Sequence, residues 1–292
     1  RIIRIKVSGK DKWVAVFGGG YNGAVNPNYG SAVFIIDLED QGRLLKVIDI
    51  EDQANVIHNY VFGTVSNNTQ TEFNLANYGL TSYDISCCTL KVYGAGSIRY
   101  SITGDQNGNT MNNLKLRFDE APPGGITLMV SKVNKTDIVN SIPADLSVIT
   151  ADGTNKANYD GAMIYATDLE GKVTKINLTD KGTLYEATTL FNSQSTSDNG
   201  RYIYTRPEVT INNDSNLWLY FGTGNTQKLQ EQSNQVQNRL YGIKDVNFPN
   251  FVKINSAGTV SQCKTSPDCP GGSDLGWYVN LKKAQKLTAE PT

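Results

Sequence analysis

Short apolar runs, each cut off by Gly, Asn or Asp before it reaches helical length, recur along the chain and confine it to β-structure. They include Trp13–Phe17, Ala32–Ile36, Leu44–Ile48, Met163–Ala166, Val173–Ile176 and Leu217–Phe221. Runs of this length bounded by turn formers read as strands. A helix would repeat its apolar residues three and four apart over a longer window. The one stretch with helical character, Leu229–Val236, is polar on all sides. The fold class that follows is all-β.

The strands repeat in composite units. Ala32-Val-Phe-Ile-Ile-Asp37-Leu-Glu, then Gly42 and a further strand, lies over Met163-Ile-Tyr-Ala-Thr-Asp168-Leu-Glu-Gly171 and its following strand. Val14-Ala-Val-Phe17-Gly lies over Trp218-Leu-Tyr-Phe221-Gly, each delivering Phe-Gly-x-Gly into a loop. Repeated hairpin units of this kind are the signature of a β-propeller, whose small sheets pack face to face and leave only short edges. At ~40–45 residues per blade the chain has room for about six to seven blades, of which three or four are visible in the sequence. We expect one domain over 1–292, with residues 66–120 as an inserted hairpin and loop region closed by Pro122-Pro123-Gly124-Gly125.

Charge then excludes partners. Lys plus Arg total 27 against 28 Asp plus Glu, a net charge of −1, which leaves no electrostatic footprint for nucleic acid or an anionic membrane. No apolar run approaches the ~20 residues of a transmembrane helix. The opening Arg1-Ile2-Ile3-Arg4 has neither an initiator Met nor a signal peptide, so the chain reads as a trimmed or mature piece of a longer one. A charged fraction of only 19% beside 27 glycines suits a turn-rich protein working outside the cell.

Candidate chemistry is sparse. The single histidine, His58, sits in the strand-like Val56–Phe62 and reads as structural, since a Ser-His-Asp or Cys-His machine would rest on it alone. Gly18-Gly-Gly-Tyr-Asn-Gly23 matches the dinucleotide fingerprint, but Asn26-Pro27-Asn28 follows where a helix must start; it reads as a turn. Asp152-Gly-Thr154-Asn-Lys156-Ala-Asn158-Tyr-Asp160 places side chains at the alternate positions of a cation-binding loop. Calcium wants several hard oxygens; only two carboxylates are offered and Lys156 opposes the ion, so an Asp-Gly turn is an equal reading. Asp105–Asn113 repeats the ladder with Leu116 in place of a bidentate Glu. Of four cysteines, Cys87 and Cys88 are vicinal, and Cys263 and Cys269 flank a Ser/Pro/Asp/Gly loop. Three pairings are open. Cys263–Cys269 suits a local disulfide or a pair of thiols; Cys87 and Cys88 suit a vicinal disulfide, distant partners or thiols.

Ser141–Asp152, continuing through Asp160 to Ile164–Val173, resembles the PilC/PilY family of type IV pilus biogenesis and tip-adhesin proteins. Further phrases of that family follow in order: Trp13–Asn22, Tyr204-Thr-Arg206-Pro207-Glu-Val, Tyr220-Phe-Gly-Thr-Gly224-Asn, Arg239–Asp245 and Gly276–Leu281. The resemblance implies a modified, quinoprotein-like β-propeller, exported to the pilus tip or outer membrane of a Gram-negative bacterium. It also implies a role in pilus extension against retraction, adhesion, twitching motility and virulence. The expected partners are minor pilins and a host-cell or matrix receptor. It implies a calcium loop before the strand Met163–Ala166, with Asp152 and Asp160 as first and last ligands; Thr154 and Lys156 depart from the acidic pattern, and Asn158 falls where a backbone carbonyl is usual. The family's von Willebrand-like region has no counterpart in this chain, which therefore reads as a C-terminal-domain fragment. The first expectation is a non-enzymatic adhesion and assembly module. The rivals are a quinoprotein dehydrogenase, which the three tryptophans serve poorly, and a generic carbohydrate-binding propeller.

Overall fold

Alternation of buried and exposed residues builds the first sheet. In the computed structural model, which describes residues 1–21, 30–50, 56–64, 69–95, 98–134, 141–150, 161–193, 201–230, 236–254, 260–263 and 275–291, the chain divides into two compact units, Arg1–Gln53 with Thr136–Thr292, and Ala54–Lys135. The first unit opens with β1 (Ile2–Val7), β2 (Lys10–Gly18), β3 (Ala32–Asp37) and β4 (Arg43–Asp49), an antiparallel meander in sequence order. Successive side chains in a strand point to opposite faces, so Val14 and Val16 of β2 and Val33 and Ile35 of β3 share the buried face. Phe17 and Trp13 share the other and are 45% and 42% exposed.

The second unit holds β5 (Val56–Thr64), β6 (Glu72–Asn74), β7 (Ser82–Asp84), β8 (Cys88–Tyr93), β9 (Tyr100–Asn107), β10 (Thr110–Phe118) and β11 (Thr127–Asn134). One sheet runs β5-β11-β8; in the other, β10 pairs with β9 along one edge and with β6 and β7 along the opposite edge. Phe73, Leu75, Leu114, Leu116, Phe118, Leu128 and Val130 form the core of this unit. The expected insertion 66–120 falls inside it. His58 lies in β5 opposite Lys132.

The first unit resumes with β12 (Ser147–Thr150), β13 (Ala162–Thr167), β14 (Lys172–Asn177) and β15 (Ala187–Asn192), again a meander in order. Every residue of β13 and β14 is buried, because this sheet is covered on both faces. Ile164, Ala166 and Ile176 meet Val14, Val16, Val33 and Ile35 of the first sheet. Met163, Tyr165 and Val173 meet Leu217, Leu219, Phe221, Tyr241 and Ile243 of the third. That third sheet comprises β16 (Glu208–Ile211), β17 (Leu217–Gly222), β18 (Arg239–Asp245), β19 (Ser261–Gln262) and β20 (Gly276–Asn280), ordered β16-β17-β18-β20-β19, with only β19 parallel to its neighbour. Each fully buried aliphatic side chain in these layers contributes roughly 1.5–3 kcal/mol.

The all-β class is therefore observed, with no α-helix among the described residues and two 3₁₀ turns, Leu75–Tyr78 and Thr226–Lys228, both capped by an Asn side chain. Of the helix-like stretch Leu229–Val236, residues 231–235 lie outside the described residues and Leu229–Gln230 form a turn. The first repeat was a match of turns rather than of sheet positions. Gly42 and Gly171 both take φ +77°, and Asp37 and Asp168 accept from the turn amides of Glu39 and Lys172. Yet β3–β4 is the last hairpin of its sheet and β13–β14 the central one of its own. The second repeat is positional, since β2 and β17 are both second strands.

Candidate functional site

A cleft of about 440 Å³ runs along the first strands of all three sheets of the first unit. Its lining includes Arg4 and Trp13 from β1 and β2, Ser147 and Thr150 from β12, and Arg206 and Glu208 beside and in β16. The first strand of a meander has one edge free of its own sheet, which is why three such edges can converge on a shared space. Ser147 and Thr167 hydroxyls donate to the carbonyls of Pro207 and Thr205, tying the middle sheet to the segment before β16. Arg206 donates to Glu208 at 2.8 Å and to Glu290 at 3.2 Å. Burial works against its charge, but the two carboxylates prevail and hold the guanidinium above its ordinary value. The cleft thus combines an aromatic face, hydroxyls and fixed charges, the ingredients of a polar-ligand or peptide site.

Gly161, immediately before β13, lines one side of this cleft. Its φ is +101°, and a Cβ there would run into the carbonyl oxygen of Leu178. The calcium candidates Asp152, Thr154, Lys156, Asn158 and Asp160 fall in the sequence between β12 and β13 and lie outside the described residues. Among the described residues no group of three or more His, Cys, Asp or Glu side chains is gathered as a metal site. The Asp105–Asn113 ladder is the β9–β10 hairpin, where Asn113 donates to Asp105 at 2.7 Å.

Cys87, at the end of the connection from β7, and Cys88, the first residue of β8, are bonded to each other, Cys87 exposed and Cys88 buried. Asp84 just before them accepts from both the amide and the hydroxyl of Ser86, which holds its carboxyl below the usual carboxylate range. Cys263 is also disulfide-bonded; Cys269 lies outside the described residues. In the dinucleotide-like run, Gly18 ends β2 and Gly20 bridges to Ile142, and residues 22–29 lie outside the described residues.

Sequence reasoning passed over two features. Arg206 stood within a recognised phrase but carried no role; one of its two ion-pair partners, Glu290, lies far along the chain. The buried trio Tyr165, Lys175 and Asp245 was invisible because its members come from three strands in two sheets.

No family model and no curated protein matches the chain. Among solved structures it is similar to the C-terminal domain of Pseudomonas aeruginosa PilY1, at 13% identity and a TM-score of 0.32. The alignment covers 98% of this chain and 63% of that one, so the chain spans less than two thirds of the length of the structure it matches. No helix among the described residues is long and apolar enough to cross a membrane.

Proposed function

We propose that this chain is a non-enzymatic module of a type IV pilus system, exported to the cell surface, where it supports pilus assembly and adhesion through minor pilins and a surface receptor. The observation that carries the reading is the order of the family-like phrases together with where they fall. Trp13–Asn22 begins in β2, Ile164–Val173 covers β13 and enters β14, Tyr220–Asn225 leaves β17, Arg239–Asp245 is β18 and Gly276–Leu281 contains β20. Phrases spread over the chain thus converge on the meanders of one layered unit. The mild net charge and the disulfide pairing agree with a surface protein. Adherent cells supply the test. Purified protein added in excess is expected to compete with piliated bacteria for host cells or matrix, and absence of any competition would count against the receptor role.

The same reading extends to calcium. Asp152 and Asp160 would hold the ion between β12 and β13, with Thr154 and the Asn158 backbone completing a thin donor set. Such a set gives weak binding, because affinity follows ligand charge count. Titration with calcium is expected to raise the melting temperature by the linkage relation in the wild type and to leave Asp152→Ala/Asp160→Ala unchanged; a wild type indifferent to calcium removes the site.

A further inference from the structure

The core between the middle and third sheets contains a lysine and an aspartate in contact with each other and screened from water. Lys175 of β14 and Asp245 of β18 are 1% and 0% exposed at their side chains, with Nζ 2.5 Å from Oδ2. The ring of Phe251 lies 5.9 Å from Nζ and belongs, with Tyr165, to the buried cluster that also holds Met163, Val173, Phe191 and Ile243. The Tyr165 hydroxyl donates to the same Oδ2 at 2.6 Å, and the amide of Asn247 donates to Oδ1 at 3.1 Å. Nζ also donates to the carbonyl of Asn250 at 2.8 Å.

We propose that Lys175 and Asp245 are joined by an intramolecular amide bond, Nζ to Cγ, closed with loss of water. Two ions buried together carry a large desolvation penalty, and an apolar shell favours the neutral amine and acid. Burial pulls the Lys175 ammonium below its ordinary range, against the opposing pull of Asp245. One proton passes from Nζ to Oδ2, and the freed lone pair attacks Cγ. The negative charge that develops on Oδ1 meets the Asn247 amide. A second proton leaves nitrogen for Oδ2, relayed by the Tyr165 hydroxyl, and the Cγ–Oδ2 bond breaks to release water. An ammonium and a carboxylate become one amide and one water, with no oxidant or further reactant. Fixed contact supplies the driving advantage, since well-oriented intramolecular pairs reach effective molarities of about 10⁵–10⁸ M, and exclusion of water disfavours the reverse hydrolysis. The product is a covalent tie between the middle and third sheets, placed where a mechanical load on either sheet would otherwise be resisted by packing and hydrogen bonds.

Mass spectrometry of the fully reduced wild-type protein tests this. The intact mass is expected one water below the sequence mass, with tryptic digestion giving a branched peptide that contains both Lys175 and Asp245 and no cleavage after Lys175. Tyr165→Phe, which keeps the ring in the core, is expected to accumulate protein of full sequence mass. A wild type at full sequence mass, with Lys175 and Asp245 recovered on separate linear peptides, overturns the proposal. So does a water loss that maps to any other residue.

Discussion

Asp37 closes β3 with its carboxylate fully buried, and it accepts from Lys12 and from the Glu39 amide. The Lys12 hydrogen bond, opposed by burial, holds its carboxyl below the usual range. A lowered folded-state pKa contributes stability that is present above the unfolded value of ~3.9 and is lost as pH falls through the folded one. The wild type is therefore expected to lose stability below about pH 4, and Asp37→Asn, which keeps an oxygen for the Glu39 amide, to flatten that acid limb in denaturant melts followed against pH. Gly161 makes a second residue-scale case. Its positive φ and the Leu178 carbonyl in its path mean that Gly161→Ala should cost about 1–3 kcal/mol, read as a lower denaturation midpoint with an unchanged m-value.

At the scale of elements, the difference between a covered and an uncovered face decides what a mutation does. Leu219 is fully buried between the middle and third sheets, whereas Val47 at the margin of the first sheet is 42% exposed. Leu219→Ala should cost roughly 2–5 kcal/mol, and Val47→Ala about 0.5 kcal/mol or less; chemical denaturation of both variants checks the contrast. The same pair of faces explains how far the sequence could be read. Strands and hairpins were legible because Asp-Leu-Glu before glycine prescribes a turn locally, at Asp37 and Asp168 alike. Facing was not. Phe17 and Phe221 occupy matching places in second strands, yet Phe221 is fully buried against the middle sheet and Phe17 is 45% exposed, since what covers a strand depends on which sheet stacks against it. Lys175 falls within the run Val173–Ile176, which reads only as a strand; the arrival of Asp245 from another sheet makes it the partner in a buried pair.

On the scale of the whole molecule, the chain carries two self-contained sets of cores. Residues 54–135 own the cluster built on Phe73, Leu114 and Phe118, and the remaining sheets share the other two clusters. A polypeptide of residues 54–135 is accordingly expected to fold alone, visible as cooperative melting and near-ultraviolet dichroism from its packed aromatic side chains, including the stacked Phe62 and Tyr78; a non-cooperative melt would show that it borrows its stability. At this scale the all-β class is observed as three packed sheets in the first unit, the middle one enclosed on both sides. We propose that the pilus-linked function is exercised at their shared cleft, which Arg206 and Gly161 line. The direct trial of that claim is an in-frame deletion of the region encoding this chain in the bacterium that carries it, with surface pili counted by electron microscopy and adherence measured beside a complemented strain. The account predicts fewer surface pili and weaker adherence, both restored by complementation; undiminished piliation and adherence in the deletion strain would contradict it.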